Sequence, residues 1–208
     1  MKLIVFGSTG TVGKQVVLQA LAMGHEVTAF ARNPQKLKDI EHKNLRIFQG
    51  DVFDANAVEN AVKGHEVVFC TLGAGRKGRV RSEGTLNIIR AMEKTGIKRF
   101  ICQSTLGAGD SKGNLNFVWK YIMFGFLLKE AYLDHELQEK YIMQSKLDWT
   151  IVRPAVLTDG KATGNYKHGF SSNDNKLKLK ISRADAALFM LMQLTASQYL
   201  RKAPGLSY

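Results

Sequence analysis

Three glycines near the N-terminus have the clearest chemical meaning in this sequence. Gly7, Gly10 and Gly13 directly follow an apolar, β-branched run, Lys2 to Phe6, that predicts a buried strand. In this spacing the first glycine permits a tight turn, the second lets backbone approach a pyrophosphate, and the third lets a helix pack on a strand. The free N–H groups at the start of the next helix would bind the phosphates. The motif therefore predicts a dinucleotide site.

The elements around the glycines support this interpretation. A helix is predicted from Thr11 to Met23, with apolar residues on one face. It is followed by Gly24, and glycine is typical of the position after a helix end. A second strand, predicted at Glu26 to Ala31, completes a β-α-β unit of about 30 residues. The alternative is a glycine turn that binds no ligand, and the β-α-β context argues against it.

The residues after the second strand distinguish NAD from NADP. NAD sites usually place Asp or Glu there for the ribose 2′-OH, whereas NADP sites have a basic residue nearby. Here Arg32 and Lys36 follow the strand, and the first carboxylate is Asp39. Arg32 offers a planar fork to a 2′-phosphate and Lys36 a mobile charge. We therefore expect NADP(H); the alternative is that both are ordinary surface charges.

Strands and helices alternate through the first half of the chain. The predicted elements are, in order, a strand at Leu45 to Gln49, a helix capped by Asp54, a strand at Val67 to Cys70, a helix at Ser82 to Lys94 and a strand at Lys98 to Gln103. Such alternation is typical of a parallel, doubly wound sheet. We predict one α/β domain over residues 1–208, an NAD(P)-binding Rossmann fold with a mostly parallel sheet flanked by helices.

The second half of the chain is less regular. Aromatic residues crowd between Phe117 and Phe126, before a helix predicted at Leu127 to Ser145. This cluster is either core packing or a subunit contact, or else a wall over a flat, conjugated substrate, and both interpretations stay open. A membrane-surface role is less favoured, because the basic residues in this segment are too few. The remaining predicted elements are a strand at Asp148 to Pro154, a short strand at Leu177 to Ile181, a helix with a capping box at Ser182 and Asp185, and an edge strand in the tail. We assign segments at about 105–130 and 154–180 to the substrate side.

Composition and charge narrow the classes of protein. The 208 residues include 30 Lys and Arg against 18 Asp and Glu, a formal net charge of +12. No zinc-finger, basic-zipper or RNA-binding signature is present, so we expect no nucleic-acid partner, and a cleft for phosphorylated ligands explains the charge.

No apolar stretch approaches roughly 18 residues, and no signal-peptide pattern opens the chain. Cys70 and Cys102 lie in predicted buried strands. We expect a cytoplasmic protein with a small-molecule substrate, no membrane partner and a monomeric or weakly dimeric state.

Ser104 lies at the end of the fifth predicted strand, where a nicotinamide would arrive. In short-chain dehydrogenases a serine there works with a Tyr-x-x-x-Lys pair, and no tyrosine of this chain has a lysine four residues later. Reduction of a ketone needs a group that moves a proton to the oxygen. The missing pair therefore favours an acceptor that takes hydride without such help, such as a flavin or a linear tetrapyrrole.

His135 is the histidine that first suggests a metal site, because Glu136 and Glu139 are close to it in sequence. No second histidine stands at ligand spacing, so we predict no metal site and interpret His135 as an ordinary surface residue on this evidence alone.

The chain resembles the flavin reductase/biliverdin-IXβ reductase family, an atypical branch of the short-chain dehydrogenases that grades into NmrA-like NAD(P)-binding proteins. The resemblance runs nearly end to end. It rests on Phe6 to Gly13, Ala31-Arg32, Gly50-Asp51-Val52, Leu72-Gly73, Ser82-Glu83-Gly84, Cys102-Gln103-Ser104, Asp134-His135, the loop at Pro154 and the last helix. It implies NADPH-dependent reduction of FMN, riboflavin or FAD and, in some members, of non-IXα biliverdins.

The resemblance also assigns roles to residues. It implies that Gly7, Thr9, Gly10, Thr11, Val12 and Gly13 hold the pyrophosphate, Arg32, Gln35 and Lys36 the 2′-phosphate, Asp51 and Val52 the adenine, and Leu72 and Gly73 the nicotinamide ribose. Ser104 would orient the nicotinamide or the substrate, and His135 would lie at the pocket mouth; we take both as the catalytic candidates. Pro154 and Val156 complete the predicted cofactor-binding set.

Two departures from the family pattern affect the substrate side. Val156 stands where mammalian members have a histidine beside the substrate, and the segment Asn116 to Lys129 is longer and more aromatic. The main alternative is an NADP(H)-sensing, NmrA-like regulatory protein without turnover. An epimerase-like enzyme on a nucleotide sugar is disfavoured by the short chain and the missing Tyr/Lys pair.

Overall fold

The structure is a computed structural model that describes residues 1–76, 78–174 and 176–208. Position 175, inside the predicted substrate-side segment 154–180, lies outside the described residues. Within the part of the chain that is described, no helix has both the length and the apolar character needed to cross a bilayer.

The first half of the chain has the predicted alternation of strands and helices. Its elements are β1 Lys2–Phe6, α1 Thr11–Ala22, β2 Glu26–Ala31, a 3₁₀-helix Pro34–Leu37, β3 Leu45–Gln49, α2 Ala55–Val62, β4 Val67–Cys70, α3 Val80–Thr95 and β5 Arg99–Gln103. Helix α3 begins two residues before the predicted start. Its first turn is stabilised by Asp134, whose carboxylate accepts the N–H groups of Arg81 and Ser82.

The second half departs further from the sequence-based expectation. Its elements are a 3₁₀-helix Gly109–Asn114, a π-helix Val118–Leu127, α4 Lys129–Gln144, β6 Asp148–Pro154, β7 Val156–Thr158, β8 Lys167–His168, β9 Lys180–Ser182, α5 Arg183–Met192 and β10 Gly205–Ser207. The strand predicted at Leu177 to Ile181 is β9, and its bounds were wrong because pairing with the unpredicted β7 sets them. One half of the predicted capping box is present, since the Ser182 hydroxyl accepts the Asp185 N–H at 2.9 Å, whereas the Ser182 N–H donates to the Tyr208 hydroxyl at 3.1 Å.

Among the described residues, eight strands form one sheet in the order β3-β2-β1-β4-β5-β6-β10-β8. The strands are parallel except for β8, which runs antiparallel to β10. This confirms the predicted doubly wound α/β class. The tail strand was expected at an edge, but β10 lies between β6 and β8 because both pair with it.

The core occupies both faces of the sheet. Apolar side chains of α1 and α5, including Val16, Val17 and Phe189, cover one face, and those of α2, α3 and α4, including Val58 and Ile88, cover the other. A parallel sheet buried on both faces needs nearly continuous apolar strands, which β1 and β4 provide. The strand order reverses between β1 and β4, so a ligand crevice is expected at their carboxyl ends.

Candidate active site

A cleft of about 540 Å³ lies at the carboxyl ends of β1, β2 and β4. It is the crevice that the reversal of strand order predicts. The predicted cofactor residues that line it are Gly7, Thr9, Gly10, Thr11, Val12, Arg32, Lys36, Asp51, Val52, Leu72 and Gly73. The tertiary structure therefore gathers residues from four separate sequence motifs around one elongated space.

The glycine turn has the tight turn and the close helix packing that the motif predicts at Gly7 and Gly13. Gly7 has a φ of 79°, a conformation that favours glycine, and its carbonyl accepts the Gly10 N–H at 2.9 Å. A Cβ atom on Gly13 would lie 2.5 Å from Thr71 Oγ1 and would also overlap the Gly7 carbonyl oxygen. Gly13 is thus a helix-packing residue beneath the cleft, and it is absent from the cleft lining. The Cβ of an alanine at position 10 would meet only backbone oxygens of Gly7 and Thr71, at 3.1 Å and 3.9 Å.

The N-terminus of α1 opens into the cleft with its donors available. Its N-cap residue is Gly10, no side chain caps the helix, and its first turn contains no acidic residue. The first N–H groups of a helix have no intrahelical acceptor, and the dipole adds partial positive charge at this end. This donor set fits the pyrophosphate of a dinucleotide.

The basic end of the cleft lies just after β2. Arg32 and Lys36 are exposed and line the cleft, whereas Gln35 is exposed but is not part of the lining. Asp39 is engaged elsewhere, because Lys14 Nζ donates to its carboxylate at 2.6 Å and lowers its pKa. Among the described residues that line this end of the cleft, none between β2 and β3 carries a carboxylate of the kind that binds a ribose 2′-OH in NAD-type sites.

Sequence reasoning missed two aromatic residues of the cleft near Asp51 and Val52. Phe30 and Phe53 line the cleft, and a Cβ on Gly50 would lie 2.7 Å from the Phe30 ring. The Phe53 N–H donates to Asp51 Oδ1 at 3.0 Å, which sets the local turn. Gly50 and Asp51 were recognised from the family resemblance, but the aromatic residues beside them carried no separate signal.

A second pocket of about 280 Å³ adjoins the cleft and is largely apolar. Its lining includes the predicted residues Ser104, His135, Pro154 and Val156, together with Leu106, Leu115, Trp119, Phe124, Leu128 and Tyr132. Gly75, Arg81, Gln103, His135 and Leu157 line both spaces. Ser104, Pro154 and Val156, which the resemblance assigned to the cofactor, thus border the second pocket rather than the phosphate-binding cleft.

Two polar atoms of the pocket lining have no hydrogen-bond partner within the described residues, Gln103 Oε1 at the junction with the cleft and Ser104 Oγ on the next residue. Ser104 is 1% exposed, and its backbone N–H donates to the Val152 carbonyl at 2.7 Å. A buried polar group without a partner costs about 1–3 kcal/mol. A ligand carboxamide would satisfy both atoms, because its NH₂ group donates to Gln103 Oε1 and its carbonyl oxygen accepts from the Ser104 hydroxyl, so these two residues fit a nicotinamide.

His135 lies half-buried at the boundary between the cleft and the pocket, not on the open surface. Its Nδ1 is 3.3 Å from the Gln138 carboxamide oxygen. Burial and the nearby Arg81 charge lower the pKa of His135 to about 3. The imidazole is therefore neutral over the physiological range, and it can donate a hydrogen bond but cannot act as a cationic acid.

Arg81 and Asp134 form a buried ion pair at the same boundary, with Arg81 Nη1 at 3.6 Å from Asp134 Oδ2. Arg81 also donates to the Gly75 carbonyl at 3.2 Å. Burial lowers the pKa of Arg81, and the Asp134 charge opposes this effect. Sequence reasoning did not single out Arg81, because the pair joins residues that are 53 positions apart.

Two of the aromatic residues between Phe117 and Phe126 form part of the pocket wall. Trp119 and Phe124 line the pocket, and the Phe124 ring stacks on Tyr132 with 5.0 Å between centroids. The Tyr132 hydroxyl donates to the Gly107 carbonyl at 3.3 Å. Burial and Glu136 raise the pKa of Tyr132 to about 12, so the phenol stays protonated. Four residues after this tyrosine stands a carboxylate, where a short-chain dehydrogenase would have lysine.

An ion-pair network centred on the buried Arg153 holds the loop that begins the 3₁₀-helix Gly109–Asn114 against the pocket. Arg153 donates to both carboxylate oxygens of Glu139, at 2.9 Å and 2.6 Å, and to Asp110. The Gly109 N–H donates to Glu136 at 2.7 Å. Because the strand β6, the helix α4 and this loop meet at Arg153, the network sets the position of one pocket wall.

The fold and the cleft define a Rossmann-type dinucleotide-binding protein. The chain matches the model of the NAD(P)H-binding family over residues 7–197, and it belongs to that family.

Two curated proteins and one solved structure are similar to this chain. The chain is 32% identical to an uncharacterized chloroplastic protein of Arabidopsis thaliana over 214 aligned positions, covering 94% of this chain and 74% of the relative. It is 30% identical to the photosystem II assembly factor Ycf39 of Synechocystis over 166 positions, but spans only 46% of that protein. The solved structure of ChuY, an anaerobillin reductase from Escherichia coli O157:H7, superposes with a TM-score of 0.83 at 26% identity, covering 100% of this chain and 97% of ChuY.

Proposed function

We propose that the protein is an NADPH-dependent reductase of flavins, namely FMN, riboflavin and FAD, and that linear tetrapyrroles such as biliverdin are related acceptors. The observation that carries this proposal is the apolar pocket with aromatic walls, which adjoins the dinucleotide cleft at Gln103 and His135. Flat, conjugated acceptors match its Trp119 and Phe124 wall. The similarity to ChuY, whose name describes a reductase of anaerobillin, supports the same acceptor class.

The residues of the cleft supply binding and orientation. The glycine turn and the α1 N-terminus hold the pyrophosphate, while Arg32 and Lys36 pair with the 2′-phosphate. The Gln103 carboxamide oxygen, at the junction of cleft and pocket, and the Ser104 hydroxyl, on the pocket side, orient the nicotinamide amide. When bound, NADPH supplies a hydride from nicotinamide C4 to the flavin N5.

The ionisable residues of the pocket support hydride transfer without a protein proton donor. His135 is neutral because its pKa is about 3, and Tyr132 holds its proton because its pKa is about 12. Neither pKa lies near neutral pH, where a general acid works best. The proton that completes flavin reduction therefore comes from solvent, and the apolar walls align the acceptor with the nicotinamide.

A second candidate function is an NADP(H)-sensing regulatory protein without turnover. It is favoured by the similarity to Ycf39, whose name describes an assembly factor rather than an enzyme. In that case the cleft binds the dinucleotide and the second pocket receives no acceptor.

The two candidates are separated by NADPH consumption with FMN, riboflavin and biliverdin in turn, with NADH as the control cofactor. We expect turnover with a flavin that is faster from NADPH than from NADH. Tight NADPH binding without turnover on any of the three acceptors would reject the reductase and favour the sensor.

A further inference from the structure

An exposed hydrophobic surface covers one side of the π-helix Val118–Leu127. We call it the aromatic face, and it consists of Phe117, Tyr121, Ile122 and Phe126. These side chains are 70%, 57%, 46% and 80% exposed, respectively. Contiguous exposed apolar residues of this kind mark a site of interaction.

The helical geometry separates the aromatic face from the pocket wall. The Leu128 N–H donates to the Met123 carbonyl at 2.6 Å, an i→i+5 bond. Such bonds give about four to five residues per turn. The spacing from Phe117 through Tyr121 to Phe126 therefore follows one side of the helix, and Trp119, Phe124 and Leu128 follow another. The pocket accounts for the apolar residues on the second side only.

The charges within the segment that carries the aromatic face are positive, and acidic residues occur only at its two ends, Asp110 and Glu130. From Ser111 to Lys129 the sequence contains no Asp or Glu, while Lys112, Lys120 and Lys129 are spread along it. Lys120 Nζ lies 5.9 Å from the centre of the Tyr121 ring. The whole chain carries a formal net charge of +12. Apolar rings flanked by lysines are complementary to an anionic, partly apolar surface.

We propose that the aromatic face docks the protein on an anionic membrane surface. Helices that lie in the plane of a bilayer combine buried aromatic rings with basic residues that reach the headgroups. The ten-residue π-helix is far shorter than the roughly 20 residues of a membrane-spanning helix, so it can lie only at the interface. A second copy of this chain is a poorer occupant, because it would bring the same lysines together.

This proposal does not depend on reductase activity, and it replaces the composition-based expectation that the protein has no membrane partner. The test is flotation with phosphatidylcholine vesicles, with and without phosphatidylglycerol. The wild type is compared with the double variant Phe117→Ser/Phe126→Ser and with a control, Met23→Ser/Ile47→Ser. The control removes apolar side chains that are 48% and 42% exposed elsewhere.

We expect the wild type and the control to float with anionic vesicles and the aromatic-face variant to lose roughly tenfold or more in partitioning. Unchanged NADPH affinity in both variants would show that the fold is intact. Absence of binding by the wild type, equal binding to neutral vesicles, or undiminished binding by the aromatic-face variant would each overturn the proposal. A dimer that the aromatic-face variant dissociates, without vesicle binding, would overturn it in favour of a second copy.

Discussion

Replacing Arg32 with alanine tests the cofactor preference most directly. Arg32 is exposed at the end of β2, lines the cleft, and makes no ion pair with any described residue. The first carboxylate after the strand, Asp39, is paired with Lys14 at 2.6 Å. The Arg32 guanidinium is thus available to a 2′-phosphate, and Asp39 does not compete for it.

The magnitude follows from the type of interaction that is lost. A hydrogen bond to a charged group contributes about 1.5–3 kcal/mol, which corresponds to roughly 10- to 150-fold in Kd. Because Arg32 is exposed to solvent, we expect the lower part of this range, about 10- to 30-fold weaker NADPH binding. NADH has no 2′-phosphate, so its Kd should change by less than about twofold.

The assay is a fluorescence or calorimetric titration of each variant with NADPH and with NADH at fixed ionic strength. Lys38→Ala is the matched control, because it removes one positive charge from an exposed position close to Arg32 but outside the cleft lining. This control should weaken NADPH only slightly. Equal losses for NADPH and NADH in the Arg32→Ala protein would refute the assignment of the 2′-phosphate site.

Three further predictions address catalysis, stability and pH. Ser104→Ala should lower flavin reduction only modestly, by about tenfold or less, because no proton transfer depends on the hydroxyl; complete loss of turnover in a folded variant would contradict the mechanism. Glu139→Ala should lower the free energy of unfolding in urea by about 3 kcal/mol, the lower end for breaking a buried pair, since the buried Arg153 would keep only the carboxylate of the exposed Asp110. Asp159→Ala at an exposed pair should cost less than about 1 kcal/mol. His135→Gln should reduce the loss of stability on acidification below about pH 6.5, measured by urea unfolding at several pH values.

The sign of the His135 prediction follows from its depressed pKa. Between the unfolded value of about 6.5 and the folded value of about 3, the unfolded chain binds a proton at this site and the folded chain does not. The free energy of unfolding therefore falls as the pH decreases through this window, by at most roughly 1.4 kcal/mol per unit. Identical acid dependence in the wild type and in His135→Gln would contradict the burial of the imidazole.

Local sequence signals were sufficient for the first half of the fold. Strand β1, the glycine turn and α1 could be predicted because apolar periodicity, the glycine spacing and a helix-ending Gly24 all act within about a dozen residues. The same signals placed Gly7, Gly10 and Arg32 correctly along the cleft. The structure then added Phe30 and Phe53, whose position depends on how the strands are packed.

Short elements in the second half could not be predicted because their stability depends on distant partners. Strand β7 exists through pairing with β9, and β10 is an interior strand because β8 covers it. A three-residue strand has no periodicity of its own that a sequence pattern could detect. The sequence likewise showed only a cluster of aromatic residues between Phe117 and Phe126, and it did not predict a π-helix there. The i→i+5 geometry of that helix separates the residues that line the pocket from those that are exposed.

The sequence by itself determined the class of fold, the dinucleotide motif and the absence of a Tyr/Lys pair, because each is encoded by neighbouring residues. Only the tertiary structure decided how the second pocket is built. The Arg81–Asp134 pair, the Arg153–Glu139 pair and the neutral His135 all arise from burial and from contacts between separate elements. Folding brings the paired groups together, and burial in a low-dielectric interior lowers the pKa of His135. No local sequence pattern contains that information.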